Sequence, residues 1–580
     1  MMGEQLTLFK GKNPTVAEIY SLYDKGDSFK RAIKLYETVR VNENFYIGKQ
    51  WEGIEANGLP TPQFNFLKRV VGFIVATITT DNIKVTASAL SNTANTDSLV
   101  EPARIVNEEF EALTEQNRIP NLMRMFARDA AVRGDGCLYS YWDEDAETGQ
   151  PDVRGAIRTE IVENTRVFFG NPNDRDVQTQ PWILIEKREI TREVRLRAKE
   201  NGAENWQAIG GDADAYEVDA AKKQDDDTTS VFLLMWRERE SGRIHGVEST
   251  RECVVREPWD MKLRLYPLCW LNWDYVADCY HGQAMITGLI PNQIFVNRIW
   301  ALSMLSFMKT AYPKYIYDKT KIARLDNRVG AAIGINGGDV NNAIKVIDPA
   351  TISPQISQFI ELAINQTEET LGATSVALGD TRPDNTSAII ALQRAASTPT
   401  ELTKQNLYSC IEDLFRIYLD FMANFYGTRM VDMPTPDDLR RAAMFAGTEV
   451  ADEIPQAFDF GSLQKHPMLL KLDVGASSYY SEIASMQTLD QLLQNGHITI
   501  EQYLERIPDG YIPGRRKLLT EIKAQRQQMA APQAAQVPPE GIPAGGGAAD
   551  AGTKPEIPTG GGFGALQRKV LEQGTTRGLV

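Results

Sequence analysis

The sequence predicts a mixed α+β chain built from several modules, and three observations carry that prediction. Segments with apolar residues at helical spacing flank a middle region of short strand-like runs. The apolar and charged fractions, 42% and 24%, match an ordinary globular protein and exclude one disordered, collagenous or disulfide-stapled throughout. At 580 residues the chain exceeds what one core serves, and a prior of ~150 residues per domain suggests roughly three or four modules.

The elements follow in chain order. Thr15 to Ile47 shows helical spacing (Ile19, Leu22, Tyr23, then Ile33, Leu35, Tyr36), with a break expected at Asp24-Lys-Gly-Asp-Ser28. The apolar centre of NFLKRVVGFIVATITTDNIKV fits a helix or a strand, and its end, Ile83 to Thr86, alternates as a strand does. Thr96 to Arg133 is helical with an interruption at Pro120. Then come strand signals in GDGCLYSYWDED, TRVFFGNP, WILIEKREI, VFLLMWRERE and HGVESTRECVVRE, the last two joined by the turn ESGR. Asn201 to Ser230 is polar, and its run Asp225-Asp226-Asp227 reads as a solvated loop because no partner ligands repeat at useful spacing.

YPLCWLNWDYV reads as an apolar strand, followed by a helix expected to begin near Pro291. That helix is apolar on almost every side (Ile294, Phe295, Val296, Ile299, Trp300, Leu302, Leu305, Phe307), so protein must surround it, either its own chain or identical neighbours in a ring. A basic patch comes next, Lys309, Lys314, Lys319, Lys321, Arg324 and Arg328 against Asp318 and Asp326. A solvated loop explains it as well as a docking surface does. GAAIGINGGDVNNAIKVID suggests short strands and turns, and ISPQISQFIELAINQTEETLG a helix. Ala373 to Asn385 is a polar interval longer than a helix connection needs, which points to a mobile element. Thr386 to Tyr426 is the longest helical pattern, and Pro399 inside it predicts a kink. Met468 to Val474 is a strand, and Ser481 to Gln525 is helical with a break at IPDGYIPG. The Pro/Ala/Gly/Gln tract Ala530 to Gly564 has too little apolar content to fold alone and reads as a flexible tail.

Charge and motifs narrow the function. With 62 basic against 77 acidic residues, net −15, the surface as a whole repels phosphate and cannot hold nucleic acid through counterion release. No GxxxxGK[ST] cradle, HExxH or GxSxG occurs, so neither ATP hydrolysis nor the common hydrolase chemistries have support. Cys253, Cys269, Cys279 and His281 are the best metal-ligand set, but their spacing is too wide for a zinc knuckle, and buried thiols are the expected reading. The remaining cysteines, Cys137 and Cys410, form no CxxC pair, which fits a reducing compartment. The start lacks a signal-peptide pattern and no apolar run reaches the ~20 residues of a membrane span, so a soluble intracellular chain is expected.

In order along the chain, NENFYIGKQW, NFLKRVVGFIVATITTDNIKV, YPLCWLNWDYVADCYHGQAMITGLIPNQIFVNR, LGATSVALGDTRPDNTSAIIALQRA and DVGASSYYSEIASMQTLDQLLQNGHITIEQYLERIP together resemble the portal proteins of tailed bacteriophages. The resemblance covers much of Asn42 to Pro508, and its strength lies in the order of the segments.

It implies a portal-like α+β fold: a wing (residues 1–290), a first stem helix (291–310), a small β-containing clip (311–350) and a second stem helix (351–372). A tunnel loop (373–385), a long kinked helix (386–426), a return strand with a helical crown (427–525) and a flexible tail (526–580) complete it. It further implies a non-enzymatic ring without cofactors, usually of twelve subunits, at one capsid vertex, assembled in the host cytoplasm and passing double-stranded DNA without sequence preference. The implied partners are further copies of the chain, the large terminase, a neck or tail adaptor and the major capsid or scaffolding protein, with no membrane.

By the same resemblance Asp380, Thr381, Arg382 and Asp384 face DNA in the tunnel, and Lys314, Lys319, Lys321, Arg324 and Arg328 form the clip's docking surface. Phe295, Ile299, Trp300 and Leu302 make the stem contacts, and Pro399 kinks the long helix. An acidic channel suits this role, because each cation gripping a phosphate would act as a brake on transport. The alternatives are another virion structural protein, such as a neck adaptor or capsid component, a DNA-packaging enzyme, which the missing phosphate cradle opposes, and a cellular scaffold.

Overall fold

The computed structural model describes residues 9, 13–56, 58–80, 83–89, 97–149, 153–212, 228–310, 314–326, 328, 333–337, 343–347, 355–370, 401–434, 453–465, 468–474, 479–507, 518–519 and 522. The chain divides into two units, Met1–Thr488 and Leu489–Val580. Helices and small antiparallel sheets alternate throughout the first unit, a mixed α+β architecture compatible with a portal fold.

The first helix, α1 (Val16–Ala32), starts at a capping box in which Thr15 and Glu18 satisfy each other's backbone N–H groups. It runs straight through the break expected at Asp24 to Ser28. Gly26 does not end it, because a Cβ there would lie 2.6 Å from Phe168 Cδ1, so the glycine serves close packing. The turn falls instead at Lys34, with φ +56°, before α2 (Leu35–Ile47).

In α3 (Phe66–Thr79) the buried residues Leu67, Val70, Val71, Ile74, Val75 and Ile78 recur every three or four positions, which resolves the helix-or-strand ambiguity. Asn65 caps α3 and donates to the carbonyls of Phe45 and Tyr46, both at 2.9 Å, tying it to the end of α2. Strand β1 (Ile83–Ala89), α4 (Asp97–Gln116) and α5 (Ile119–Arg133) follow, with Pro120 in the first turn of α5, where its missing N–H costs nothing.

Three strands form one sheet, β2 (Asp135–Glu147), β3 (Arg154–Ile161) and, later in the chain, β9 (Leu268–Asn272), in the order β3-β2-β9. A five-stranded meander holds β4 (Val167–Phe169), β5 (Trp182–Ile190), β6 (Thr228–Arg237), β7 (Ile244–Ser249) and β8 (Val254–Asp260). Strand β6 reads as a continuous apolar run because both its faces are covered. Phe232 and Leu234 pack with Ile19 and Tyr23 of α1, while Leu233 and Met235 enter the main core. Between β5 and β6 lies α6 (Thr191–Glu200), which the sequence reading missed, as it missed β3.

Next, α7 (Met285–Thr310) begins six residues before the expected start, so Pro291 lies inside it. A two-stranded ribbon, β10 (Lys314–Tyr317) with β11 (Ile344–Ile347), separates it from α8 (Gln355–Thr370). The long helix is described as α9 (Glu401–Phe425), whose buried face Leu407, Ile411, Leu414, Tyr418 and Phe421 packs on β9. Pro399 lies outside the described residues.

An unforeseen hairpin, β12 (Thr428–Pro434) with β13 (Glu453–Asp459), precedes β14 (Met468–Val474). The expected strand at Met468 to Val474 pairs antiparallel with β1.

Helix α10 (Tyr479–Gln494) starts in the first unit and ends in the second. In the second unit, a turn at Gly496, φ +71°, leads to α11 (Ile500–Arg506), opened by a second capping box at Thr499 and Gln502. This turn was not foreseen, and most of the expected break at IPDGYIPG and the tail lie outside the described residues. No helix among the described residues is long and apolar enough to cross a membrane.

Candidate subunit-contact site

The segment entering α7 is fixed by Asp135 at the start of β2, whose carboxylate is wholly buried. It accepts from the Gly282 backbone N–H (2.6 Å), Asn272 Nδ2 (2.7 Å), His281 Nδ1 (2.6 Å) and Asn164 Nδ2 (3.2 Å). Nearby Lys30 is buried and donates from Nζ to the carbonyls of Asn164 (2.8 Å), Thr165 (2.9 Å) and Val167 (2.6 Å). Burial pulls the lysine pKa down, while Glu186 and Asp135 oppose that pull. Three carbonyl acceptors require three hydrogens, so the group is an ammonium. Gly134, φ +100°, is obligatory beside this junction, since a Cβ would meet the Gly282 carbonyl oxygen at 2.6 Å.

These contacts set how α7 leaves the core. Ile286, Leu289, Val296 and Ala301 are buried, and α7 packs on α2, α3 and α5. On the same side an amide chain crosses the interface: Asn297 Nδ2 donates to Gln50 Oε1 (2.7 Å), and Gln293 Nε2 donates to Asn297 Oδ1 (2.8 Å) and to the Phe64 carbonyl (2.6 Å). The Trp300 ring packs 4.9 Å from that of Phe64.

The outward side is apolar. Phe295 is 48% exposed and Leu302 58%, while Ile299 and Trp300 are half-buried. Where α7 runs past the core, Met304, Phe307 and Met308 are exposed too. Helix α8 returns alongside, held by Asn292 Nδ2 donating to Thr367 Oγ1 (3.0 Å), and adds exposed Phe359 and Leu362. Among the described residues, the expectation that protein surrounds α7 is therefore met on one side only. Phe295 and Leu302, seven residues apart, share one face of α7, and exposed apolar side chains of this size are candidates for an interaction site, since burying each is worth about 1.5–3 kcal/mol.

The basic patch lies on and beside the β10–β11 ribbon. Lys314 pairs in register with Ile347, Lys319, Arg324 and Arg328 are exposed, and Lys321 is half-buried. Arg328 makes an ion pair with Asp326 at 2.6 Å, and Lys321 lies 3.8 Å from Asp318. Among the described residues Lys319 and Arg324 make no ion pair, so the patch offers less unpaired positive charge than its composition suggests. Asp380, Thr381, Arg382 and Asp384 lie outside the described residues.

The four candidate metal ligands are not brought together. Cys269 is in the main core, Cys253 is in a separate cluster with Val194 and Ile209, and His281 is bonded to Asp135. Burial pushes the thiols of Cys253, Cys269 and Cys279 up, away from the thiolate a metal needs.

Neither the amide chain nor the Lys30–Asp135 junction was read from the sequence. The available signal was the Gln293–Asn297 pair, four residues apart in an otherwise apolar helix.

Helices α7 and α8, joined through a small ribbon, thus carry exposed apolar side chains, Phe295 and Leu302 on one and Phe359 and Leu362 on the other. Residues 182–433, from β5 through α7, the ribbon and α8 to β12, match the family model described as Phage P22-like portal protein, and that match supports a tailed-phage portal protein. The family is structural and generally non-enzymatic, and implies a homo-oligomeric ring at the capsid vertex that associates with capsid and terminase. No curated protein matches the chain.

Proposed function

We propose that this chain forms the ring at one capsid vertex through which double-stranded DNA is packaged and later ejected. The observation that carries the reading is the open apolar face of α7 and α8, Phe295, Leu302, Phe359 and Leu362, which lies within the matched segment. A neighbouring copy covers that face, and repetition of the contact closes a ring. In this reading residues 1–290 are the wing, 291–310 and 351–372 the stem helices and 311–350 the clip. The exposed cations Lys319 and Arg324, with Lys314, Lys321 and Arg328, face the terminase during packaging and the neck or tail adaptor afterwards. Residues 373–385 form the tunnel loop, where Asp380 and Asp384 repel the DNA backbone, Thr381 lines the wall and Arg382 touches phosphate transiently. Residues 386–426 are the long helix kinked at Pro399, 427–525 the return strand and crown, and 526–580 the tail. The major capsid or scaffolding protein holds the rim of the ring.

Native mass spectrometry with negative-stain imaging of the purified full chain tests this reading. The expected result is a perforated ring near the mass of twelve 64.8-kDa copies, about 778 kDa. Monomers or dimers alone across assembly conditions would overturn it.

A further inference from the structure

The amide chain Gln50–Asn297–Gln293 is placed where apolar packing would serve stability better. Gln293 is wholly buried, and Gln50 and Asn297 nearly so. Its two ends are unsatisfied: Gln50 Nε2 and Gln293 Oε1 have no hydrogen-bond partner among the described residues. A buried network with open ends is worse for the isolated fold than well-packed aliphatic side chains of the same volume.

What the chain does supply is direction. Gln293 and Asn297 sit on one stripe of α7, four residues apart, and their partners come from two separate segments, Gln50 just after α2 and the Phe64 carbonyl just before α3. At ~100° per residue, Phe295 and Leu302 lie roughly half a turn from Gln293. Rotating α7 by one residue would strand both amides in apolar surroundings and turn the outward face away.

We infer that Gln50, Gln293 and Asn297 are a rotational key that sets the angle at which α7 offers its apolar face to the next subunit, and so fixes a single ring size. The inference rests on the ring reading above. Its physical basis is the known behaviour of single buried polar residues in coiled coils, which select register and oligomeric state at a cost in stability. A ring closes only when the rotation between neighbours divides a full turn, so an apolar interface whose helix is free to rotate closes at several subunit numbers.

The test compares the full-length wild type with the triple variant Gln50→Leu/Gln293→Leu/Asn297→Leu, and with Gln50→Leu/Asn297→Leu, which keeps the Gln293 bond to Phe64 should the triple variant fail to fold. Thermal melts report the fold, and native mass spectrometry reports the ring-size distribution. The expected result is unchanged or raised melting temperature together with loss of the single dominant ring species in favour of several sizes. One unchanged ring size in a folded variant overturns the inference, as does a lowered melting temperature with ring size intact, which would make the amides merely stabilising. A wild type that forms no ring removes the ring reading itself, and the inference with it.

Discussion

His281 Nδ1 and Asp135 Oδ2 lie 2.6 Å apart with neither side chain reachable by solvent, and the other imidazole nitrogen, Nε2, has no hydrogen-bond partner among the described residues. Nδ1–H donates to the carboxylate, so the ring is neutral and Nε2 carries no proton. Burial holds the His281 pKa below its ordinary 6.5, with Asp135 opposing that shift. In the unfolded chain the imidazole takes up a proton as the pH falls below that value, while the folded chain resists. This contribution to stability is therefore complete above the ordinary value and is lost as the pH drops toward the folded one, at up to about 1.4 kcal/mol per unit. Denaturation midpoints measured between pH 5 and 7.5 should fall with acid, and His281→Gln should flatten that dependence. A wild-type curve without acid sensitivity in this window would contradict the assignment.

Lys30 carries the opposite risk. Replacing it with Met keeps the stem but removes a donor from the buried carbonyls of Asn164, Thr165 and Val167, the last still accepting from Tyr280 Oη at 3.3 Å, so Lys30→Met should cost about 1–3 kcal/mol in urea unfolding. A loss below about 1 kcal/mol would show that water replaces the ammonium there.

Gly26 tests the packing of α1 on the meander. In an open helix Gly→Ala stabilises by about 0.5–1 kcal/mol, but here the new methyl meets the buried Phe168 ring, so Gly26→Ala should destabilise by about 1–3 kcal/mol. A raised melting temperature would mean that α1 is free to move off the sheet.

On the outward face, Leu302→Asp should leave the circular dichroism and melting of the isolated subunit within about 0.5 kcal/mol of wild type, because the side chain is already exposed. Ring formation, read by size-exclusion chromatography with light scattering, should fail. Normal rings from this variant would place the subunit contact elsewhere.

In the proposed function Arg382 faces the tunnel, and its charge is the one that reading uses directly. Arg382→Glu should alter packaging rate or genome retention while leaving rings assembled, measured as packaged DNA per particle. Unchanged packaging and retention would remove the tunnel assignment.

Local elements were legible wherever the apolar periodicity was clear. The apolar spacing from Thr15 foretold α1, the interruption read at Pro120 falls at the break between α4 and α5, and the alternating end at Ile83 marked β1. The errors came from side chains whose role is set by distant partners. Gly26 looks like a breaker until Phe168, more than a hundred residues away, is seen to need the space. Pro291 looks like a helix start because that is where proline is cheapest, yet α7 begins earlier, where Met285 and Ile286 are buried. At the candidate site the apolar residues of α7 were visible, but which of them the chain itself covers depends on Gln50 and Phe64, and no local pattern encodes that. His281 was grouped with cysteines by sequence proximity, whereas its partner is Asp135.

The pairing of β1 with β14 sets a timetable for synthesis. Ile83 finds its ladder partner at Val474, and Ala89 at Met468, so the ribbon stays incomplete until nearly the whole first unit has left the ribosome. Loop closure over such a span is slow compared with the formation of the local helices. Until it happens, the surfaces that β14 covers remain available to other nascent chains on the same message. The apolar face of α7 is translated well before that closure. The chain therefore passes through a period in which α7 and its exposed apolar side chains exist while the β1–β14 ribbon does not.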